Sequence, residues 1–425
     1  MKTVFFTASS VNHLRFIGPM QSEFARRGIH CELIYTDLSN SPDGGGVEEA
    51  LGAKASANPG LKLLPRTEFD ACLRNVKLPT RGFRSLPLLK RIFLLLKAKF
   101  PRVKFDSQSL LILFNDTGAF EKRLLWEARQ AGARVAYIQD GLTNLRAQNF
   151  FTRRYYRLVS PSFLFLYLPM PQSCGPWDKG FFLGDFWKEY SQSWRTKRKL
   201  ADTQFRTLGQ FQFWISSPPK LDTLVPPPPR SKKLGILCAV YELARDATPE
   251  AEDEFLKSFS TRLLELSKRL QILVRPHPRS PGEPTLVKYL KEKKVPYEIS
   301  PETESLFEFA ESADVFFSLG SYAAFEILRM GKPCFLIMRP FSKMIGKIAD
   351  RWNELDPETL LDQFYRSVNE ALTEKTLAEL HLHLSERYEY YISQKLTTAA
   401  SLTDELMKLD SWPPEGLRSA EAGKI

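Results

Sequence analysis

The sequence predicts an α/β protein made of two Rossmann-like domains that face each other across a cleft. Its 425 residues exceed what a single hydrophobic core usually supports, which is about 250–300 residues. In both halves, continuous apolar runs alternate with amphipathic segments of helical period, a pattern typical of parallel strands covered by helices. A proline-rich stretch between Ser216 and Lys233 separates the two halves.

The N-terminal half alternates strands with helices that end at glycine. Strands are predicted at 3–8, 29–35, 109–114 and 133–138, and helices at 17–27 and 117–130. Gly28 and Gly132 follow the helices and stop them. Because parallel strands joined by right-handed crossovers end at one edge of a sheet, we expect ligands at the carboxyl ends of these strands.

The C-terminal half repeats the alternation. Its predicted strands are 234–240, 270–274, 297–299, 315–318 and 334–338, with helices at 251–269, 285–294, 305–312 and 322–330 between them. Four segments are therefore expected: an N-terminal domain (1–216), a proline-rich linker (217–233), a C-terminal domain (234–375), and C-terminal helices with a polar tail (376–425).

The chain is basic, with a formal net charge of +11. Residues 71–105 hold ten Lys or Arg and no acidic residue, and within the basic segment 77–104 the pattern of residues 86–97 predicts a basic amphipathic helix. Such a helix can rest on an anionic membrane surface, or its basic face can line a cleft for anionic substrates. No recognised nucleic-acid motif accompanies the charge, so a nucleic-acid partner is not expected.

The remaining composition favours a cytoplasmic protein. The five cysteines are scattered and never form a Cys-x-x-Cys pair, as in reduced, buried thiols: Cys31, Cys72, Cys174, Cys238 and Cys334. The first eight residues are too short an apolar run for a signal peptide, and no apolar run approaches the roughly 20 residues that span a membrane. A peripheral location on the inner face of the membrane is the alternative.

Several catalytic motifs are absent from the sequence: GxGxxG, GxxxxGK[ST], HExxH and GxSxG. Dehydrogenase, kinase, zinc protease and serine hydrolase activities therefore lack their required residues. No DxD-like carboxylate pair accompanies the predicted ligand edge, so neither a metal nor another cofactor is expected.

The sharpest local motif follows the predicted strand 270–274. Two prolines surround His277 and restrict the backbone there, while Arg275 and Arg279 supply guanidinium groups suited to phosphate. His277 with Pro278 thus predicts an anion site at the end of a strand. The alternative is a rigid turn with a hydrogen-bonded histidine.

A second motif joins the strand 315–318 to the next helix. Gly320 can adopt backbone angles closed to other residues, and the Ser318 and Ser321 hydroxyls with nearby amides can face an anion. Glu326 lies on the helix that follows. We interpret this segment as one wall of a nucleotide pocket; a well-capped helix is the alternative.

Carboxylates end two strands of the N-terminal half. Asp140 precedes Gly141, which permits a tight turn, and Asn144 is near enough to orient the carboxylate or a substrate. A carboxylate in this place can act as a general base or as a nucleophile on a sugar. Asp116 ends another strand in the same way and is the second candidate. For Asp140, an aspartate that caps a turn is the alternative.

A third group of polar residues follows the first strand. Ser10, Asn12 and His13 are predicted to form a loop at the same edge of the sheet, facing the cleft. They are candidates for contact with an acceptor substrate.

Together these motifs resemble bacterial GT-B glycosyltransferases that use CMP-activated 2-keto sugar acids. This group contains sialyltransferases, polysialyltransferases and β-Kdo transferases, which share an x-Asp-Gly motif in the first half and a His-Pro motif in the second. The resemblance in architecture covers most of the chain, whereas the motifs rest on some ten residues. The sialyltransferase pattern has an acidic residue at the position of Gln139.

The resemblance implies roles for individual residues. His277 would contact the CMP phosphate and help the nucleotide leave, with Pro278 shaping its loop. Ser318 and Ser321 would hold the phosphate or the donor carboxylate. Asp140 would act as a nucleophile in a retaining Kdo transferase, or as the base in an inverting sialyltransferase.

Three hypotheses follow for function. The first is transfer of Kdo or a sialic-acid-like sugar from a CMP donor to a bacterial surface glycan such as capsule, O-antigen or lipooligosaccharide. The second is another GT-B reaction: a UDP- or GDP-sugar transferase, a CDP-glycerol-type polymerase or a UDP-sugar 2-epimerase. The third is a non-catalytic, nucleotide-binding scaffold of a glycan assembly complex.

Overall fold

A computed structural model describes most of both predicted sheets and the helices around them. The described residues are 1–8, 11–35, 61–64, 103–116, 119–140, 174–196, 204–207, 210–211, 232–238, 249–277, 283–301, 303–336, 366, 374–393 and 395–411. The basic segment 77–104 lies outside them except for its last two residues, and so does the linker 217–233 except for residues 232 and 233.

Strands and helices alternate where the apolar pattern predicts them, and the first unit also has strands at 61–64, 179–182, 204–207 and 210–211 and a helix at 185–196 that the pattern did not predict. The strands are β1 (Thr3–Ala8), β2 (His30–Tyr35), β3 (Leu61–Leu64), β4 (Ser109–Leu113), β5 (Arg134–Ile138), β6 (Lys179–Phe182), β7 (Gln204–Thr207), β8 (Gln210–Phe211), β9 (Lys233–Leu237), β10 (Gln271–Arg275), β11 (Glu298–Ile299), β12 (Val315–Ser318), β13 (Cys334–Leu336) and β14 (Leu396–Thr397). The helices are α1 (Val11–Arg26), α2 (Ala119–Gln130), α3 (Asp185–Thr196), α4 (Pro249–Leu266), α5 (Thr285–Glu292), α6 (Leu306–Ser312), α7 (Ala323–Arg329), α8 (Glu374–Glu389) and α9 (Ala399–Met407).

The chain divides into two compact units. The first contains Met1–Thr143, Gln148–Trp214 and Lys395–Ile425, and the second contains Asn144–Ala147 and Ile215–Gln394. The C-terminal segment predicted at 376–425 is therefore divided: α8 belongs to the second unit, whereas α9 belongs to the first.

The first unit is built on a sheet whose described strands follow the order β3-β2-β1-β4-β5-β6-β7. Every neighbouring pair is parallel. All residues of β4 are buried, as expected for a central strand covered by helices on both faces. The strand order reverses between β1 and β4, which is where ligands bind in open sheets of this kind.

The second unit repeats the same arrangement with fewer strands. Its described sheet has the order β11-β10-β9-β12-β13, again with parallel pairs throughout. The reversal lies between β9 and β12. Here Gly235 allows close packing, because a Cβ atom at this position would lie 2.5 Å from the Phe316 ring.

Helix α1 differs from the prediction. The sequence predicts a helix over 17–27, but α1 begins at Val11 and contains Pro19 in its interior. Asn12 and His13 therefore lie in the first turn of a helix, not in a loop. Gly28 ends this helix with a positive φ of 74°, as its place in the sequence predicts.

The return of the chain to the first unit is held by an ion pair in which the lysine is buried and the glutamate is partly exposed. Lys179 in β6 donates from Nζ to Glu405 Oε2 at 3.0 Å and to the backbone oxygen of the same residue at 2.8 Å. The Lys179 side chain is only 2% exposed, and burial lowers the pKa of its ammonium group. Hydrogen bonds from Lys408 and then Lys179 lower the pKa of Glu405 to about 2. A charged partner from the C-terminal helix thus stabilises a lysine inside the sheet.

Strand β14 adds a second link within the first unit. Leu396 and Thr397 pair in parallel with Gln210 and Phe211 of β8. Thr398 then caps α9 by accepting a hydrogen bond from the Ser401 backbone. Within the described residues, no helix is both long and apolar enough to cross a membrane.

Candidate functional site

A histidine and a carboxylate meet at the carboxyl ends of the first unit's strands. His13 lies in the first turn of α1, just after β1, and Asp140 lies two residues beyond the end of β5. The His13 Nε2 atom is 2.8 Å from Asp140 Oδ2. The two residues are 127 positions apart in sequence, and parallel strand order brings them to the same edge.

The side chains of this pair differ in exposure. The His13 side chain is 4% exposed, whereas that of Asp140 is 21% exposed. The His13 ring packs against Phe114, with ring centroids 5.1 Å apart, and Phe114 packs in turn against Phe16 at 5.0 Å. Phe114 follows β4, the strand between β1 and β5. Its ring therefore supports the His13 imidazole where that imidazole extends past the end of β4 toward Asp140. Asp140 is therefore the member of the pair that solvent or a substrate can contact.

Gln139 orients the end of β5. It is fully buried, its backbone N–H donates to Phe181 O at 3.0 Å, and its Oε1 accepts from the Leu183 N–H at 3.1 Å. These bonds tie β5 to the end of β6. Successive side chains of an extended segment point in opposite directions, so burial of Gln139 directs Asp140 away from that packed region. The residue that departs from the sialyltransferase pattern thus has a structural role here.

Asp116, the second carboxylate candidate, occupies a different environment. It is fully buried, and its Oδ2 accepts from Gly175 N at 2.7 Å and from Trp177 Nε1 at 3.2 Å. Arg195 donates to the Gly175 carbonyl and lies over the Trp177 ring, 4.7 Å from its centroid. Asp116 therefore anchors the segment that precedes β6.

Other predicted residues of the first unit are described in part or not at all. Asn12 is described only as backbone in the first turn of α1. Ser10, Gly141 and Asn144 lie outside the described residues.

In the second unit, the histidine motif follows β10 as predicted. His277 is partly exposed two residues beyond Arg275, the last residue of the strand. The Arg275 side chain is engaged locally: its Nη1 donates to Ser300 Oγ at 3.3 Å and lies 3.9 Å from Glu304 Oε2. Burial lowers the pKa of the guanidinium, and Glu304 opposes this effect. Arg275 thus fastens β10 to the segment after β11, while Pro278 and Arg279 lie outside the described residues.

The serine motif forms a closed turn at the end of β12. The Ser318 hydroxyl accepts from the Ser321 N–H at 3.1 Å and donates to the Ser321 carbonyl at 3.1 Å. Gly320 has a positive φ of 80°, and Ser321 Oγ accepts from Ala323 N at 3.3 Å. The turn leads into α7, whose first turn contains Glu326. The two hydroxyls therefore form hydrogen bonds with the backbone of the turn itself, which fixes its conformation at the edge of the sheet.

Sequence reasoning identified His13 and Asp140 separately and missed their pairing. The only signal for it was that both residues follow strands of one sheet. A helix start at residue 17 would have left His13 in an irregular segment, so the pairing depends on α1 beginning at Val11.

Neither a protein-family model nor a curated protein sequence matches the chain.

Solved structures match at the level of fold. TarM is similar over 96% of this chain and 98% of its own, with 10% identity and a TM-score of 0.53. A variant of S. aureus TarM in complex with Fondaparinux, alpha-GlcNAc-glycerol and UDP matches over 96% of this chain and 99% of its own, at 10% identity and a TM-score of 0.50. A putative UDP-N-acetylglucosamine 2-epimerase from Listeria monocytogenes matches over 97% and 96%, at 12% identity and a TM-score of 0.50. With its two parallel α/β sheets, the chain has the two-domain, Rossmann-like GT-B architecture.

Proposed function

We propose that this chain is a nucleotide-sugar-dependent glycosyltransferase with Asp140 as its reacting carboxylate. The observation that carries the proposal is the state of that carboxylate. Asp140 lies at the ligand-bearing edge, is held through Oδ2 by His13, and has no other hydrogen-bond partner among the described residues. Its Oδ1 atom is thus available to a substrate hydroxyl, in an architecture shared with glycosyltransferases.

In the proposed reaction, an acceptor hydroxyl attacks the anomeric carbon of the donor sugar. As the new carbon–oxygen bond forms, the bond from that carbon to the nucleotide phosphate breaks, and the hydroxyl proton moves to Asp140. The departing phosphate carries the negative charge. In the second unit, taken by itself, the partly exposed His277 at the end of β10 is proposed to contact an anionic group of the nucleotide. A nucleophilic role for Asp140 is the alternative, in which the sugar is transferred twice and its configuration is retained.

The donor is proposed to be a nucleoside diphosphate sugar. The structures of similar fold include one in complex with UDP and one named as a UDP-N-acetylglucosamine epimerase, which supports this class over CMP-linked 2-keto acids. The CMP-linked donor is the second candidate, because His277-Pro278 and Asp140-Gly141 occur in the order found in enzymes that use it. The glycan acceptor is expected to carry the attacking hydroxyl in either case.

Nucleotide binding tests the donor class directly. Thermal midpoints of the full chain are measured with UDP, GDP, CDP and CMP at equal concentrations. A shift with UDP or GDP supports the proposed donor, and a shift with CMP alone replaces it by the second candidate. If none of the four nucleotides raises the midpoint, the proposal is overturned, and so is the nucleotide-binding scaffold.

Turnover tests the reaction. With the preferred nucleotide sugar and a pool of glycan acceptors, release of nucleotide should depend on acceptor. Asp140→Asn should lower kcat by about 10²–10⁴-fold, the range expected for loss of a general base. Conversion of UDP-N-acetylglucosamine to its 2-epimer without acceptor would instead identify an epimerase.

A further inference from the structure

We propose that His13 is a positioning residue that holds Asp140 Oδ2 and thereby presents Oδ1 to the acceptor hydroxyl. This inference rests on the proposed function, since it assigns the partner that orients its reacting carboxylate. It assigns a separate role to each oxygen of the carboxylate: Oδ2 accepts the hydrogen bond from His13, and Oδ1 contacts the acceptor hydroxyl. His13 takes part in the reaction only through Asp140.

The chemistry of the contact sets its direction. An ionised carboxylate only accepts hydrogen bonds, so the 2.8 Å contact requires a proton on His13 Nε2. The imidazole then donates to Oδ2. An aspartate carboxyl group otherwise rotates broadly about its last torsion, and a single fixed donor selects one orientation. The oxygen that remains, Oδ1, is defined by that choice.

Packing makes His13 a fixed donor. Its backbone belongs to the first turn of α1, its side chain is 4% exposed, and its ring lies against Phe114, which is itself fully buried. A group supported in this way keeps its position while the partner it orients contacts solvent. Catalytic groups held by such supporting residues lose less rate to misplacement than groups held by loops.

Two substitutions separate positioning from a purely structural role. His13→Phe keeps an aromatic ring against Phe114 but removes the donor, whereas His13→Gln keeps an N–H group at similar reach. We expect His13→Phe to lower kcat by about 10–100-fold with little change in KM, since small misplacements of a reacting group cost up to about 100-fold. His13→Gln should stay within about fivefold of the wild type. His30→Gln is the matched control, because His30 starts β2 at the opposite edge and its side chain is 51% exposed.

The two variants also give the result that would overturn the inference. If His13→Phe turns over like the wild type, or if His13→Gln is no better than His13→Phe at equal thermal midpoint, hydrogen-bond positioning is excluded. In the double variant with Asp140→Asn, the losses should not multiply, because residues that act as one unit are not additive. Multiplying losses would contradict the inference as well.

The same set distinguishes failure of this inference from failure of the proposed function. Loss of turnover in Asp140→Asn together with normal turnover in His13→Phe rejects the role of His13 alone. Full turnover in Asp140→Asn rejects Asp140 as the reacting group and the inference with it. If no donor reacts, nuclear magnetic resonance of the imidazole decides the contact: a hydrogen-bonded His13 Nε2 proton should be present in the wild type and lost in Asp140→Ala. Its absence from the wild type would overturn the pairing.

Discussion

The two strand-end carboxylates should respond to substitution in opposite ways, with Asp116 affecting stability and Asp140 affecting turnover. Asp116 Oδ2 accepts two hydrogen bonds from buried donors, Gly175 N at 2.7 Å and Trp177 Nε1 at 3.2 Å. Asp140 has a single described bond and a side chain that is 21% exposed. The sequence ranks Asp140 first because Gly141 follows it, but it does not show that Asp116 is the buried one of the two.

The size of the difference follows from these contacts. Asp116→Ala leaves two buried donors without an acceptor, at about 1–3 kcal/mol each, so a loss of about 3–5 kcal/mol is expected. Asp116→Asn can keep one oxygen in place for both donors and loses mainly the charge, which we place at about 1–2 kcal/mol. Asp140→Ala removes one partly exposed bond and should cost about 1 kcal/mol or less.

Thermal unfolding followed by tryptophan fluorescence measures this series, with turnover assayed on the same samples. Because the chain has two compact units, midpoints are compared within the series and a single global free energy is not assumed. Folded Asp116→Asn should keep its turnover, whereas Asp140→Asn should lose it. An Asp116→Ala midpoint equal to that of the wild type would refute the reasoning, and so would an Asp116→Asn variant that is folded but inactive.

Three further predictions concern the surrounding structure. Glu405 has a folded-state pKa of about 2, below its ordinary value of 4.5, so its ion pair should stabilise the fold fully above pH 4.5 and progressively less as the pH falls toward 2. Thermal unfolding measured across this pH range should show a stability loss of about 1 kcal/mol after solvent screening, and Glu405→Gln should abolish this dependence on pH. Gly175→Ala should lower the thermal midpoint, because the added Cβ atom would lie 3.0 Å from Asp116 Oδ2. Gly18→Ala, whose Cβ atom would have nothing within 4 Å, should leave the midpoint unchanged or raise it, and equal midpoints for the two variants would contradict this. Ser318→Ala removes both side-chain bonds of the turn after β12, about 1–2 kcal/mol in total, and should weaken nucleotide binding in titration calorimetry; unchanged affinity would separate the turn from the nucleotide site.

Much of the fold could be predicted because its central strands are continuous apolar runs. The predicted strands 3–8 and 315–318 agree with β1 and β12 residue for residue. Such strands are buried on both faces, so their hydrophobicity is a local signal that needs no knowledge of partners. The positions of the candidate residues at strand ends followed from the same signal, since loops after parallel strands share one edge.

Prediction failed where burial depends on a distant partner. Strand β6 begins with Lys179, which by itself indicates an exposed position, yet its side chain is buried because Glu405 arrives from 226 residues later in the sequence. The early start of α1 was likewise missed, because Pro19 in the interior disfavours a helix that reaches back to Val11. In both cases, tertiary packing stabilises a conformation or a burial that the local sequence disfavours.

By itself, the sequence determined the α/β class, the repeated order of strands and helices, and the residues that lie at strand ends. The tertiary structure decided which of those residues meet: His13 with Asp140 and Asp116 with the segment before β6. The physical reason is that a strand's location is encoded by its own hydrophobicity. The burial, direction and hydrogen-bond partner of a polar side chain depend on chain segments that only folding brings within about 3 Å.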